Sequence, residues 1–251
     1  METRMRRLAL VLAAALAVLA PPAGANEEVD LELVLLADAS GSIDQGEIEF
    51  QRRGYAEAIT DPAVLSAIAK GAHQKIAVTY VEWASAFSQD VVVPWTVVDG
   101  AASARAFADA LMVPPRQVFG SNAIGSALAA GHRLIETNAF DGLRRIIDFS
   151  GDSANSFSGV PIAEARARAL AAGIVINGLA ILCRDCNGRP VSYDVEKAFA
   201  ELIIGGPGSF VITADDPERF AAAVRDKLIQ EIAGVPAKRD AASRLAQRPA
   251  D

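Results

Sequence analysis

Three short segments carry side chains whose oxygens could share one ligand: Asp38-Ala39-Ser40-Gly41-Ser42, Gly120-Ser121-Asn122 and Ser150-Gly151-Asp152. Carboxylate, hydroxyl and amide oxygens are what a hard divalent cation accepts, and Mg²⁺ favours octahedral oxygen coordination that keeps some water. Alternating Asp, Ser and Ser lets one tight loop turn three oxygens toward a point, and Gly41 eases that turn. Other chemistry-bearing residues are sparse. His73 and His132 lie far apart and lack zinc spacing, so both read as ordinary surface or helix histidines. The two cysteines stand in Cys183-Arg184-Asp185-Cys186, after a strand-like run and before the turn signal Asn187-Gly188. In an oxidising compartment such a pair closes a loop disulfide, with free thiols as the alternative. A redox role would need the first cysteine at a helix start.

The elements around these segments alternate. Leu31 to Ala37 (LELVLLA) is a continuous apolar run ending at Asp38, which predicts a strand buried on both faces, as in a parallel sheet. Gly46 to Thr60 has helical spacing, with Ile48, Tyr55 and Ile59 as anchors. Lys75 to Ala84 and Gln89 to Thr96 read as strands too close together for a parallel crossover, so they form an antiparallel hairpin. Pro94 suits its outer strand, because proline cannot donate to a ladder. Helices are expected over Ala101–Leu111, Asn122–Thr137, Ile162–Ala172, Tyr193–Ile203 and Asp216–Ile232. On the second of these, Ile124, Leu128 and Leu134 share one face. Strands are expected over Leu143–Phe149, Ile174–Leu182 and Ser209–Thr213. Strands alternating with helices predict one α/β domain: a doubly wound, mostly parallel sheet with one antiparallel edge strand and helices on both faces. In such sheets the ligand crevice lies beyond the carboxyl ends of the strands, where the three oxygen-bearing segments arrive.

The chain opens like an export signal. Arg4, Arg6 and Arg7 precede an apolar run from Leu8 to Ala20, Pro21-Pro22 ends it, and Ala23-Gly24-Ala25 supplies small residues for cleavage after Ala25. The run is short for a membrane span, although a short anchor is the alternative. A signal peptide over 1–25, one domain over 26–235 and a polar tail over 236–251 are therefore expected, in a periplasmic or secreted protein. The formal charge is −7. Loss of the leader takes it to about −9, which argues against nucleic acid or an anionic membrane as partner.

The strand-then-D-A-S-G-S pattern resembles the metal-ion-dependent adhesion site of von Willebrand factor A domains, whose motif is Asp-x-Ser-x-Ser. The resemblance covers residues 29–233. Segments such as VTYVEWA, VVVPWT, IDFSGDS, INGLAIL and IGGPGSFV make the chain most similar to an uncharacterised bacterial subfamily of secreted von Willebrand factor A-like proteins. The resemblance implies that Asp38, Ser40 and Ser42 hold a metal ion, Mg²⁺ or else Mn²⁺ or Ca²⁺. It places Asp152 at the distal aspartate, with Ser150-Gly151-Asp152-Ser153 where Thr-Asp-Gly is usual. It places Asn122 at the family's loop threonine, with Ser121 beside it as a substitute ligand. It also implies binding rather than catalysis, the metal capturing a carboxylate from a partner protein or another envelope ligand.

Four other readings compete. The motif could merely cap and order a strand-to-helix loop. The domain could be structural, with a degenerate metal site at Asn122. A haloacid-dehalogenase-like phosphatase also places Asp after its first strand, but its acid two residues later is Ser40 here, and no lysine stands in an obvious loop. A serine hydrolase lacks a Gly-x-Ser-x-Gly elbow around Ser40, Ser42 or Ser150.

Overall fold

The computed structural model describes residues 26–182, 193–214 and 219–234. The expected signal peptide, Cys183 and Cys186, and the tail from 236 lie outside the described residues, as does the start of the helix expected from Asp216. Among the described residues no helix is long and apolar enough to cross a membrane.

A six-stranded sheet forms the centre. Its strands are β2 (Leu31–Asp38), β3 (Ile76–Trp83), β4 (Gln89–Val98), β6 (Arg145–Gly151), β7 (Val175–Ile181) and β8 (Val211–Ala214). They lie in the order β4-β3-β2-β6-β7-β8, all parallel except the edge strand β4, which runs antiparallel to β3. The expected architecture is therefore present, with Pro94 on the outer strand. A small parallel ladder of β1 (Glu27–Val29) and β5 (Phe140–Gly142) adds to it. Each has only three residues, too few for a periodic signal.

The helices are α1 (Gln45–Ile59), α2 (Pro62–Ile68), α3 (Ala101–Leu111), α4 (Ile124–Glu136), α5 (Ile162–Ala171), α6 (Val195–Leu202) and α7 (Phe220–Ala233). Successive strand residues point to opposite faces, and β2 uses both. Leu31, Leu33 and Leu35 join one core with Tyr55 of α1, Val64 of α2, Phe107 of α3 and Leu228 of α7. Val34 and Leu36 join the other with Leu128 of α4, Ala169 of α5 and Phe199 of α6. This two-sided burial is why β2 reads as an unbroken apolar run.

Local differences from the sequence reading have local causes. Helix α2 was not anticipated, although Asp61 caps it by accepting from Ala63 N–H at 2.7 Å and Pro62 occupies its first turn. Strand β6 starts two residues later than its apolar pattern suggests and runs on through Gly151. Leu143 is 64% exposed in the turn before it, and the Ser150 hydroxyl, buried, donates to Leu36 O at 3.2 Å. Helix α4 begins at Ile124, not Asn122, because Asn122 O accepts from Phe157 N–H and Ala123 N–H donates to Ala84 O. On its inner face Ile124, Leu128 and Ile135 are buried, and Leu134 packs partly buried against the same core.

One close approach fixes α4 against the chain that follows the site. A Cβ on Gly125 would lie 2.0 Å from the backbone oxygen of Val160. Gly125→Ala must push main chain rather than a side chain. It is expected to destabilise by about 1–3 kcal/mol, the range for overpacking, which urea unfolding monitored by circular dichroism would read.

Candidate metal centre

The strand order reverses between β2 and β6. From β2 the chain moves outward to β3 and β4, then returns to the other side for β6, β7 and β8. Loops diverge at such a switch point and leave a crevice. Asp38 ends β2 and Asp152 immediately follows β6, so the crevice receives both carboxylates.

The Asp38 loop is built tightly. Asp38 is 1% exposed, and its Oδ1 accepts from Ser40 N–H at 2.8 Å. The Ser40 and Ser42 hydroxyl oxygens are 3.2 Å apart, and Ser42 lies near enough to the Asp152 carboxyl to draw it down against the effect of burial. Asp38, Ser40, Ser42 and Asp152 are thus one continuous group of oxygens. Asp38 Oδ2 is buried and has no hydrogen-bond partner. Burial, reinforced by the Asp152 charge, pushes the Asp38 carboxyl up to about 7, and burial also raises Asp152. An orphaned buried acceptor is costly, and two crowded carboxylates oppose each other's ionisation. A divalent cation at this point would answer both penalties, so the residues present fit the group that their resemblance implies. Among the described residues no three His, Cys, Asp or Glu side chains converge. The donor set is two carboxylates with hydroxyls, as oxygen-seeking cations accept.

The second expected segment abuts the first. Gly41 N–H donates to Gly120 O at 2.8 Å, and Gly120 itself has φ +114°, open to glycine and few other residues. Asn122 is buried and Ser121 is exposed. Gly151, beside Asp152, is closely packed as well, since a Cβ there would lie 3.2 Å from Asp38 Oδ2.

Several supporting residues escaped the sequence reading. Arg116 donates to Ala39 O at 2.6 Å, Ser40 O at 3.2 Å, Ile43 O at 3.0 Å and Val118 O at 2.8 Å. It thereby holds three carbonyls of the Asp38 loop in place. Gln51 of α1 donates to Asp38 O at 3.0 Å. The Tyr193 hydroxyl accepts from Ala154 N–H at 2.9 Å and lies 3.0 Å from Ser153 Oγ, anchoring the chain after Asp152. Arg116 follows Pro114-Pro115, the one local hint of a fixed loop there. The capping box of α1 aims the loop's exit: Asp44 accepts from Glu47 N–H at 2.9 Å, and Glu47 accepts from Asp44 N–H at 2.7 Å.

Solved structures share this fold. The pilus adhesin SpaC from Lactobacillus rhamnosus GG matches with a TM-score of 0.58 at 14% identity, over 83% of this chain and 32% of the adhesin. The proximal thread matrix protein 1 of the mussel byssus, solved with zinc in its MIDAS motif, matches at 0.57 and 16% identity, over 83% of this chain and 49% of that one. This chain therefore spans about a third of the first protein and half of the second. The vWF domain of the type V pili tip protein Mfa5 from Porphyromonas gingivalis matches at 0.53 and 9% identity, over 89% and 98% of the two chains. A sequence comparison with curated proteins gives no match. A family model described as "Protein of unknown function (DUF1194)" matches residues 28–236. The chain belongs to that family, and its fold is that of a von Willebrand factor A-like domain.

Proposed function

We propose that this protein is an exported binding domain that holds a divalent cation, Mg²⁺ in the first instance, through Asp38, Ser40, Ser42, Asp152 and Asn122. The cation would capture a carboxylate from a partner protein or envelope component. The observation that carries this reading is Asp38 Oδ2, buried without a partner beside Asp152 and two hydroxyls. Neutral hydroxyls leave a cation short of negative charge, and an open coordination position then attracts an anionic ligand, as in catalytic metal sites. The likeness to pilus proteins and to a zinc-occupied MIDAS supports a non-catalytic, adhesive role. The charged and apolar N-terminal run supports export to the periplasm or beyond. Asn122 at the threonine position favours one second reading, a structural domain whose metal site has decayed.

Thermal melts of the full chain with and without Mg²⁺, Mn²⁺ or Ca²⁺ separate the two. A ligand bound only by the folded state stabilises it by about 2.7 kcal/mol at one hundred times its Kd. For a domain of this size that raises Tm by roughly 5–10 °C. Asp38→Ala is expected to abolish the rise while the protein stays folded. A rise that survives Asp38→Ala, or no rise with any of the three ions, overturns the reading. Metal-dependent phosphate release from a generic aryl phosphate would instead make the protein a phosphatase.

A further inference from the structure

We propose that Phe87, Phe119 and Phe157 form an apolar rim around the metal centre, docking a protein segment that offers one carboxylate set among apolar side chains. This inference rests on the metal-dependent reading above and names the class of partner.

The three phenylalanines are 100%, 62% and 71% exposed. Burying such a side chain is strongly favourable, so holding three large rings in water forgoes stabilisation that the fold could have taken. They come from three different loops, all at the metal end of the sheet. Phe87 follows β3, Phe119 precedes α4 and Phe157 follows β6.

The loops are tied to one another and to the metal loop. Phe119 N–H donates to Ser88 Oγ at 3.0 Å, next to Phe87. Phe157 N–H donates to Asn122 O at 2.8 Å. Gly159 packs so closely on the first loop that a Cβ there would lie 3.0 Å from Ala86 Cβ. Gly120, between Phe119 and Ser121, accepts from Gly41 N–H of the Asp38 loop. The loops that carry the rings are therefore tied to the Asp38 loop as one frame at this end of the sheet. Exposed apolar groups gathered beside a polar site are the composition of a binding surface, with aromatic anchors at its centre.

Charge complementarity selects the occupant. The cation needs one anionic oxygen. The chain as a whole is acidic, at −7, which repels a polyanion. Near these loops the Arg116 guanidinium donates to four backbone carbonyls and lies over the Phe119 ring, 4.8 Å from its centroid. It is not offered to a phosphate or sulfate group. What fits a cation ringed by three phenylalanines is a single Asp or Glu flanked by Leu, Val, Phe or similar side chains.

The test is a library of displayed linear peptides, panned on the full chain in Mg²⁺ and eluted with a chelator. Enriched sequences are expected to carry Asp or Glu between apolar or aromatic residues. A synthetic peptide of that sequence should lose roughly tenfold in affinity for each of Phe87→Ser, Phe119→Ser and Phe157→Ser, the effect of withholding one large apolar side chain from burial. The Mg²⁺-induced rise in Tm reports the fold and the metal site separately in every variant. Enriched peptides with polar or basic neighbours, or affinities indifferent to all three substitutions, overturn the rim and leave the metal reading standing. A Mg²⁺ rise with no chelator-eluted peptide does the same. Absence of the Mg²⁺ rise in the wild-type chain overturns the metal reading, and the rim falls with it.

Discussion

Lys227→Met is expected to destabilise the folded protein by about 3–5 kcal/mol, the cost of breaking a buried ion pair from one side. For a domain of this size that lowers Tm by roughly 6–20 °C. Lys227 lies on α7 and is completely buried. Its Nζ is 2.7 Å from Asp148 Oδ1 of β6 and also pairs with Glu231, one turn along the same helix. Glu231 Oε1 accepts from Asn177 Nδ2 of β7 at 2.9 Å, and the Phe210 ring covers the ammonium group with its centroid 5.5 Å away. One cation thus serves two carboxylates in a dry space. Burial already pushes both carboxyls up from their ordinary range, and for Glu231 the Asp148 charge adds to it.

The destabilisation comes from what remains rather than from what is lost. Asp148 Oδ2, Glu231 Oε2 and the Tyr55 hydroxyl have no hydrogen-bond partner even with Lys227 present. The triple variant Lys227→Met, Asp148→Asn, Glu231→Gln removes every charge at nearly constant volume. It is expected to recover most of the lost stability, since replacing all members of a buried ion cluster is often neutral. Urea unfolding of the three proteins reads both effects. A single variant within about 1 kcal/mol of wild type would show that the cluster is solvated or neutral. The cluster also bears on the site. It joins α7 to β6 and β7, and β6 three residues later delivers the Gly151-Asp152 turn.

Much of the fold was legible because its strands are buried on both faces. LELVLLA and INGLAIL have no polar alternation, and only a sheet covered by helices on each side accepts such runs. The switch point was legible for the same reason, since alternating elements dictate where the crevice must open. The metal loop could be read because Asp-x-Ser-x-Ser is a contiguous pattern. What could not be read depends on distant partners. Lys227 sits in AVRDKLIQEIA, where its charge suggests an exposed face. Its burial is made tolerable by Glu231 together with Asp148, and Asp148 lies seventy-nine residues earlier. Arg116 is likewise invisible as a loop organiser, because its partners are backbone carbonyls that any sequence would present. Leu143 misled in the opposite direction. It is apolar, but the register of β6 against β2, pairing Glu32 with Arg145 and Leu36 with Phe149, leaves it in the turn.

Below pH 7 the affinity for Mg²⁺ is expected to fall by up to about tenfold per pH unit, because the ion must displace a proton from Asp38. The sign follows from the carboxyl's position. In the unfolded chain Asp38 ionises near 3.8, and in the metal-free fold burial and then Asp152 raise it to about 7. The folded state therefore holds a proton that the unfolded state has released. The stability owed to this group is complete below pH 3.8 and is lost as pH rises to about 7. A bound cation reverses the balance, since it requires the ionised carboxylate. Metal-free protein should thus melt lower at pH 8 than its other groups alone dictate, and Mg²⁺ should have its largest effect there. Asp38→Asn separates the two halves of the argument. The amide cannot ionise, so metal-free Asp38→Asn should melt above metal-free wild type at pH 8, and Mg²⁺ should not move it. If wild-type Mg²⁺ affinity is flat from pH 5.5 to 8, Asp38 is not the group that the ion must deprotonate. If instead Asp38→Asn melts below wild type in chelator at pH 8, the buried carboxylate stabilises the empty loop, and the electrostatic case for a cation there fails.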